Sequence, residues 1–358
     1  MSIKRIVGLD ICRIVAMLGI LLLHIIGVGG ALSSCESFGS DFISTYWVYI
    51  CAMISVDMFG ILSGYLGIQR DETSTYRIIE LVFITLLYSI IITCSFRLFA
   101  PEKVRGTHTI IKGLFPELVG GYWYITCFIP IMLLQPCLNK MLRVLSIKEY
   151  KMFCLFLCGI IACIPSVFRV NFFGVDGYSV TWLLVCYIIG GYIKRSNFCF
   201  FKKNAYNLLC FLGLSVVLLV GNILLYMLSG NRWDYMVSYF SPVIIFMSIC
   251  IFFFFRDVNI SVNWNILSKT AAVTFDVYII HAHIFVYNYV LAGNFEFINK
   301  LPTILVIPAI IGIAIVLFLI LTIVGRIRIL LFKLFGVEKV IRSLSKRIDE
   351  LVYDRFLS

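Results

Sequence analysis

Charge is what this chain lacks most. Only 14% of its 358 residues are charged, against 61% that are hydrophobic, and the mean hydropathy is +1.01. A soluble domain carries about a quarter charged residues because its surface faces water, so a soluble globule is excluded, as are disorder and collagen-like sequence. Outer-membrane barrels alternate polar and apolar residues and never reach such an average. What remains is an all-α, polytopic bundle of membrane helices. The chain also has no CxxC pair, no Cys/His cluster, no HExxH and no Walker loop, so metal and nucleoside-triphosphate chemistry have no support. No solenoid repeat, low-complexity tract or appended soluble catalytic domain is visible. Cysteine is plentiful, at thirteen. Most of these residues, such as Cys127, Cys154, Cys158, Cys163 and Cys186, fall in apolar runs and read as small buried hydrophobes rather than disulfide partners.

Long apolar stretches are abundant. A helix needs about 20 such residues to cross a bilayer. Ten stretches are candidates, at 7–30, 46–68, 78–99, 119–139, 152–169, 179–193, 205–229, 236–255, 267–291 and 301–325, of which the sixth is short and glycine-bearing. The first contains Arg13 and lacks a small-residue cleavage site, so it is expected to stay in the membrane. Residues 101–118 are too polar to span and are expected to form an interfacial loop or short helix.

The formal net charge of +11 would suit nucleic acid, but its placement speaks for topology instead. With the N-terminus in the cytoplasm, the inner segments hold Lys4, Arg5, Arg70, Arg77, Lys140, Arg143, Lys148, Lys151, Lys194, Arg195, Lys202, Lys203 and Arg256. The basic tail from Arg326 to Arg355 joins them. The outer loops hold fewer: Arg97, Lys103, Arg105, Lys112, Arg169, Arg232 and Lys300. This excess fits ten helices with both termini cytoplasmic, and no nucleic-acid partner is expected. The chain then divides into a transmembrane domain, 1–330, and a tail, 331–358. Within the tail, Val340, Leu344, Ile348 and Leu351 recur at spacings of three and four, the pattern of a basic amphipathic helix lying on membrane lipid.

Ionisable groups inside spans are expensive and mark function by default. The first span holds Asp10, Arg13 and His24. Eleven residues leave Arg13 and His24 within about 20° of each other on a helix, separated by about 16 Å along its axis. Asp10 sits one turn before Arg13 and can pair with it. The competing account is packing, with an interhelical hydrogen bond from His24 and a snorkelling Arg13. Tyr278, His281 and His283 form a second polar group, either a cavity wall or a set of helix-to-helix bonds. Asp57 and Glu80 are expected to pair with a neighbouring Arg or Ser. Trp123, Tyr124 and Trp182 could stack on a sugar ring or adenine, or anchor helix ends at the interface. Ser63 and Ser166 lack a nearby acid–base frame for a serine nucleophile.

Lys4-Arg5 and Asp10-x-x-Arg13, followed after ten residues by His24, resemble the opening of the membrane acyltransferase-3 family, bacterial O-acyltransferases of surface polysaccharides and related acceptors. Val56-Asp57-Met58-Phe59-Gly60-Ile61-Leu62-Ser63-Gly64-Tyr65 resembles that family's second-helix motif, with Gly60 where a second Phe is usual. Gly120-Gly121-Tyr122-Trp123-Tyr124, Tyr187 to Tyr192 with its Gly190-Gly191 pair, and Tyr278-x-x-His281 are similar to later family motifs, in order and at family-like spacing. Many members carry Arg-x-x-Arg at the start of the third helix. Here Arg77 is followed by Glu80, and Arg70 is the nearest stand-in.

The resemblance implies a multi-pass protein of the bacterial inner membrane, with acyl-CoA, usually acetyl-CoA, as donor and a carbohydrate or lipid-linked glycan hydroxyl as acceptor. His24 would act as general base or become acylated itself. Arg13, steadied by Asp10, would bind donor phosphate or stabilise oxyanion charge. Arg70, Arg77 and Arg143 would meet the CoA phosphates, and Trp123, Tyr124, Trp182, Tyr278 and His281 would line the substrate cavity; no metal is expected. Two other classes stay open at this stage. A proton-coupled transporter would use the same buried charges, although no matching halves with broken helices are visible; a membrane sensor or scaffold is the third.

Overall fold

The computed structural model describes residues 7–35, 38–170, 177–230, 234–258 and 264–356, and every regular element among them is helical. Lys4, Arg5 and Arg232 lie outside the described residues. In chain order the helices are α1 (Val7–Ile26), α2 (Ser40–Ala52), α3 (Ser55–Gly67), α4 (Thr75–Phe99), α5 (Thr107–Leu114), α6 (Trp123–Val144), α7 (Ile147–Leu157) and α8 (Ile164–Phe168). They continue with α9 (Val180–Ser196), α10 (Asn204–Ser229), α11 (Pro242–Arg256), α12 (Trp264–Ala271), α13 (Thr274–Ala282), α14 (Ile284–Val286), α15 (Thr303–Leu334) and α16 (Val337–Phe356).

Their boundaries follow local chemistry. Ser146 and Glu149 close a capping box at the start of α7, Ser179 accepts from the Trp182 amide to start α9, and Pro242 opens α11 behind the Ser241 cap. The polar stretch 101–118 becomes the short helix α5 and a 3₁₀ turn, Pro116–Val119, as expected for a segment that cannot span.

Among the described residues, eight helical segments are long and apolar enough to cross a membrane, and nine if the bent pair Asn265–Ala282 and Ile284–Lys300 (57°) is one span. The remaining expected stretch, the sixth in order, is α9, whose 17 residues stand at the short end of the range that can cross a bilayer. Its length follows from its place. From Trp182 to Ile193 it is buried almost throughout, so protein rather than lipid is its solvent.

The centre of the bundle is a backbone-to-backbone contact between α3 and α9. A Cβ on Gly64 would stand 1.9 Å from the Tyr187 carbonyl oxygen, and one on Gly190 would stand 2.0 Å from that of Ile61. Only glycine permits that approach, which in a membrane supplies the close packing that the hydrophobic effect cannot. α1 joins the pair through Gly19, set against Ser55 of α3. At the periphery, α10 and α15 are only 22% buried over their apolar windows and turn their aliphatic faces outward. Cys154 and Cys186 are buried as expected, whereas Cys158 is half-buried and Cys163 is exposed on the outward side of its helix.

Most of the segments expected to be inner and basic are fastened together at one end of the bundle. Asn139 of α6 donates to the carbonyls of Gly67 and Arg70 (2.8 Å each), Arg195 donates to the Leu142 and Leu145 carbonyls, and Arg256 donates to that of Phe198. The first turn of α1 meets the last of α11, since a Cβ on Gly8 would run into the Phe255 carbonyl. The tail helix α16 returns to the same end, where Asp349 accepts from Thr75 and Arg342 lies 5.0 Å over the Tyr76 ring. One basic residue departs from its expected place. Arg328, counted with the tail, lies inside α15 and is 9% exposed. It makes a bidentate pair with Asp276 of α13 at 2.8 and 2.7 Å, and Tyr88 of α4 donates to the same carboxylate at 2.8 Å.

Candidate active site

A cavity of about 720 Å³ runs along the inner face of α1. Arg13 lines it near the start of that helix, together with Arg77 from the first turn of α4 and Ala271 and Ala272 at the end of α12. His24 lines it three turns further on, among Gly27, Val28, Ile284 and Tyr287. The spacing of eleven residues thus puts cation and imidazole on one wall, about 16 Å apart along the axis. Asp10 stands behind Arg13 at 3.3 Å and is itself buried.

The opposite wall is aromatic. Gly120, in a left-handed conformation (φ 76°), turns the chain into α6 so that Trp123 and Tyr124 face the cavity. Trp123 packs edge-on to Tyr178 (4.8 Å between centroids) and lies near-parallel to Tyr239 (6.3 Å, 24°), with Tyr178 and Tyr239 5.2 Å apart. Tyr278 of α13 completes this side, its hydroxyl accepting from the Tyr124 amide at 3.4 Å. Among the described residues that line the cavity there is no carboxylate, two arginines and a single imidazole. A hydroxyl arriving here therefore has one side chain suited to take its proton near neutral pH.

His24 touches two rings, His281 at 4.9 Å and Tyr287 edge-on at 5.3 Å. His281 is 2% exposed and stands behind His24 instead of lining the cavity, with its Nδ1 2.5 Å from the Val277 carbonyl oxygen. His283 also lies off the cavity. Its Nδ1 accepts from the Phe285 amide at the break between α13 and α14, while its Nε2 donates to the Gly113 carbonyl.

The remaining expected site residues lie elsewhere. Trp182 is fully buried and off the cavity, where its Nε1 donates to Asp57 at 2.8 Å. Ser248 also donates to Asp57, so that carboxylate has the serine partner expected of it. Arg70 and Arg143 are at the Arg13–Arg77 end of the bundle but outside the cavity wall. Arg143 pairs with Asp71 and donates to the Asn139 carbonyl. The hydrogen bond and charge of Arg143 hold the Asp71 carboxyl below the usual carboxylate range. Ser63 lines the cavity with its hydroxyl donated to the Phe59 carbonyl, which gives it no acid–base frame. Tyr49, Tyr178, Tyr239 and Tyr287 were not singled out from the sequence. Tyr178, Tyr239 and Tyr287 sit in or beside loops and breaks, where no periodicity marks an inward face, and Tyr49 lies in the last turn of α2.

Neither the curated proteins nor the solved structures hold a significant match to the chain. The family model of the acyltransferase-3 domain, in contrast, matches residues 6–323, a range that takes in every element lining the cavity from α1 to the turn bearing Tyr287. The chain belongs to the acyltransferase-3 family of membrane acyltransferases.

Proposed function

We propose that this protein moves an acyl group, acetyl in the first instance, from cytoplasmic acyl-CoA to a hydroxyl of a cell-surface carbohydrate or its lipid-linked precursor, across the bacterial inner membrane. The observation that carries this reading is that one cavity joins two arginines, one imidazole and an aromatic wall. The basic end of the bundle faces the cytoplasm under the positive-inside rule, which presents Arg13 and Arg77 to the anionic donor. Arg70 and Arg143 add positive potential around the mouth. CoA's phosphates pair with Arg13 and Arg77 while the pantetheine arm follows α1, bringing the thioester toward His24. The acceptor's hydroxyl comes from the far side, its ring held against Trp123, Tyr124 and Tyr278.

His24 takes the hydroxyl proton as the oxygen attacks the thioester carbonyl. The O–C bond forms, the C–S bond breaks, and the proton passes from His24 to the departing thiolate. Donor and acceptor meet in one chamber, so direct transfer needs no acyl-histidine carrier.

The test is purified protein in nanodiscs with labelled acetyl-CoA and a panel of glycan and lipid-linked acceptors, reading free thiol and labelled acceptor together. Transfer is expected, and His24→Ala is expected to abolish it while the protein still elutes as a folded species of unchanged helical content. Donor left intact across the panel, with substrate flux in proteoliposomes, would instead establish a transporter.

A further inference from the structure

We propose that His281 is the positioning residue of His24, its Nε2 accepting a hydrogen bond from His24 Nδ1–H and thereby leaving His24 Nε2 as the bare base of the cavity. The role of His24 as base rests on the function proposed above; the hydrogen bond between the two rings does not.

The argument begins at Val277. A carbonyl oxygen only accepts, so the 2.5 Å contact puts the proton of His281 on Nδ1, and a neutral imidazole then carries its lone pair on Nε2. That Nε2 is buried and meets no partner. His24 Nδ1 is likewise buried and meets none. The rings that own these two nitrogens are neighbours, with centroids 4.9 Å apart. An N–H···N bond about 3 Å long holds two imidazole centroids roughly 5 Å apart, which is the separation observed here. A buried donor and a buried acceptor left unmade would each carry a desolvation penalty of about 1–3 kcal/mol, which drives the pair together. Tyr287 is the other ring on His24, and it stands edge-on. His24 lines the cavity and Nδ1 is its buried nitrogen, so Nε2 is the atom turned to substrate.

The consequence is a choice of tautomer. A free imidazole favours the proton on Nε2, the wrong form for a base that must act there. Donation from Nδ1 to His281 reverses that preference, and the imidazolium formed during transfer keeps a partner for its Nδ1 proton. A mis-set tautomer costs a serine protease about 10⁴ in rate.

The chain has four histidines, sparse enough for ¹⁵N-histidine labelling in nanodiscs, with His24 assigned by its loss in His24→Ala. The expected wild-type spectrum shows His24 protonated on Nδ1 and bare on Nε2. In His281→Phe the proton moves to Nε2. A wild-type His24 carrying its proton on Nε2 overturns the proposal, whether or not the protein transfers acyl groups. Kinetics supply a second reading. His281→Phe is expected to lower kcat about 100-fold with both KM values within about twofold, and His281→Gln to recover at least about tenfold, because its amide oxygen can stand where Nε2 stood. Equal impairment of the Phe and Gln variants, or unchanged kcat in both, rejects the assignment.

Discussion

Replacing Arg328 by alanine would strand the Asp276 carboxylate inside the bundle. Asp276 is fully buried and Arg328 is 9% exposed, so neither charge has water to fall back on. Breaking such a pair by removing one partner costs about 3–5 kcal/mol, most of it the penalty of the charge left behind. Arg328→Ala and Asp276→Ala are therefore each expected to destabilise by about that amount. The Tyr88 hydrogen bond to Asp276 keeps part of the first loss down, and Tyr88→Phe alone should cost about 1.5–3 kcal/mol, the range for a bond to a charged group. Removing both Asp276 and Arg328 leaves no stranded charge, so the double variant should lose far less than the two single losses summed. Ordinary interhelical hydrogen bonds in membranes couple by about 0.6 kcal/mol on average, because the unfolded helices find other partners. A buried carboxylate in lipid finds none so easily, and coupling of about 3 kcal/mol is expected here. Detergent-driven unfolding of the four species in a double-mutant cycle measures it directly. Additive losses, with coupling under about 0.5 kcal/mol, would refute the reasoning.

Arg77→Ala should raise the KM for acyl-CoA about 10- to 100-fold with little change in kcat, the loss of one charge-assisted contact to phosphate, and added salt should narrow the gap between variant and wild type. Gly190→Leu should give no folded protein in mild detergent, since its Cβ alone would lie 2.0 Å from the Ile61 carbonyl; a wild-type melting curve would show that α3 and α9 are not held by that contact. The Asp71 carboxyl is held low by Arg143, so this tie is intact above the ordinary carboxylate pKa and is lost only as pH falls through the lower folded-state value. Wild type and Arg143→Ala should accordingly differ in melting temperature at neutral pH and converge in acid.

The membrane helices were legible because lipid leaves no other choice. Backbone groups must be satisfied within the segment, so apolar length alone reports helices such as α1, α4 and α15. The cavity face of α1 was legible for the same reason, since Arg13 and His24 are costly in lipid and their spacing fixes their common side. α9 is the stretch that hydropathy leaves undecided, because hydropathy cannot distinguish a residue facing lipid from one facing another helix. Arg328 was counted among the basic residues of the inner end, and its partner Asp276, 52 residues away, is visible only in the fold. Trp182 reads from sequence like any aromatic near a helix end; its place against Asp57 exists only in the fold. Tyr178 and Tyr239 gave no signal because turns carry no period.

The two structural features least visible in the sequence are the ones that hold the site open. Under the proposed mechanism, a base acting at one nitrogen beside a thioester tolerates little movement, and the cavity of about 720 Å³ has to keep its shape. On one side of α1, Gly64 and Gly190 bring α3 and α9 to backbone contact, and Gly19 seats α1 against Ser55 of that pair. On the other side, Arg328 and Tyr88 fix Asp276, two residues before Tyr278 and five before His281. α1 is therefore held between a glycine-packed wall and an ion-paired one, and the space between them cannot be filled by sliding either. The glycines exclude side-chain bulk and the ion pair excludes displacement, which are different physical constraints on the same His24. Loosening the ion pair should accordingly lower transfer before it unfolds the protein, whereas a bulky side chain at Gly190 should remove both together.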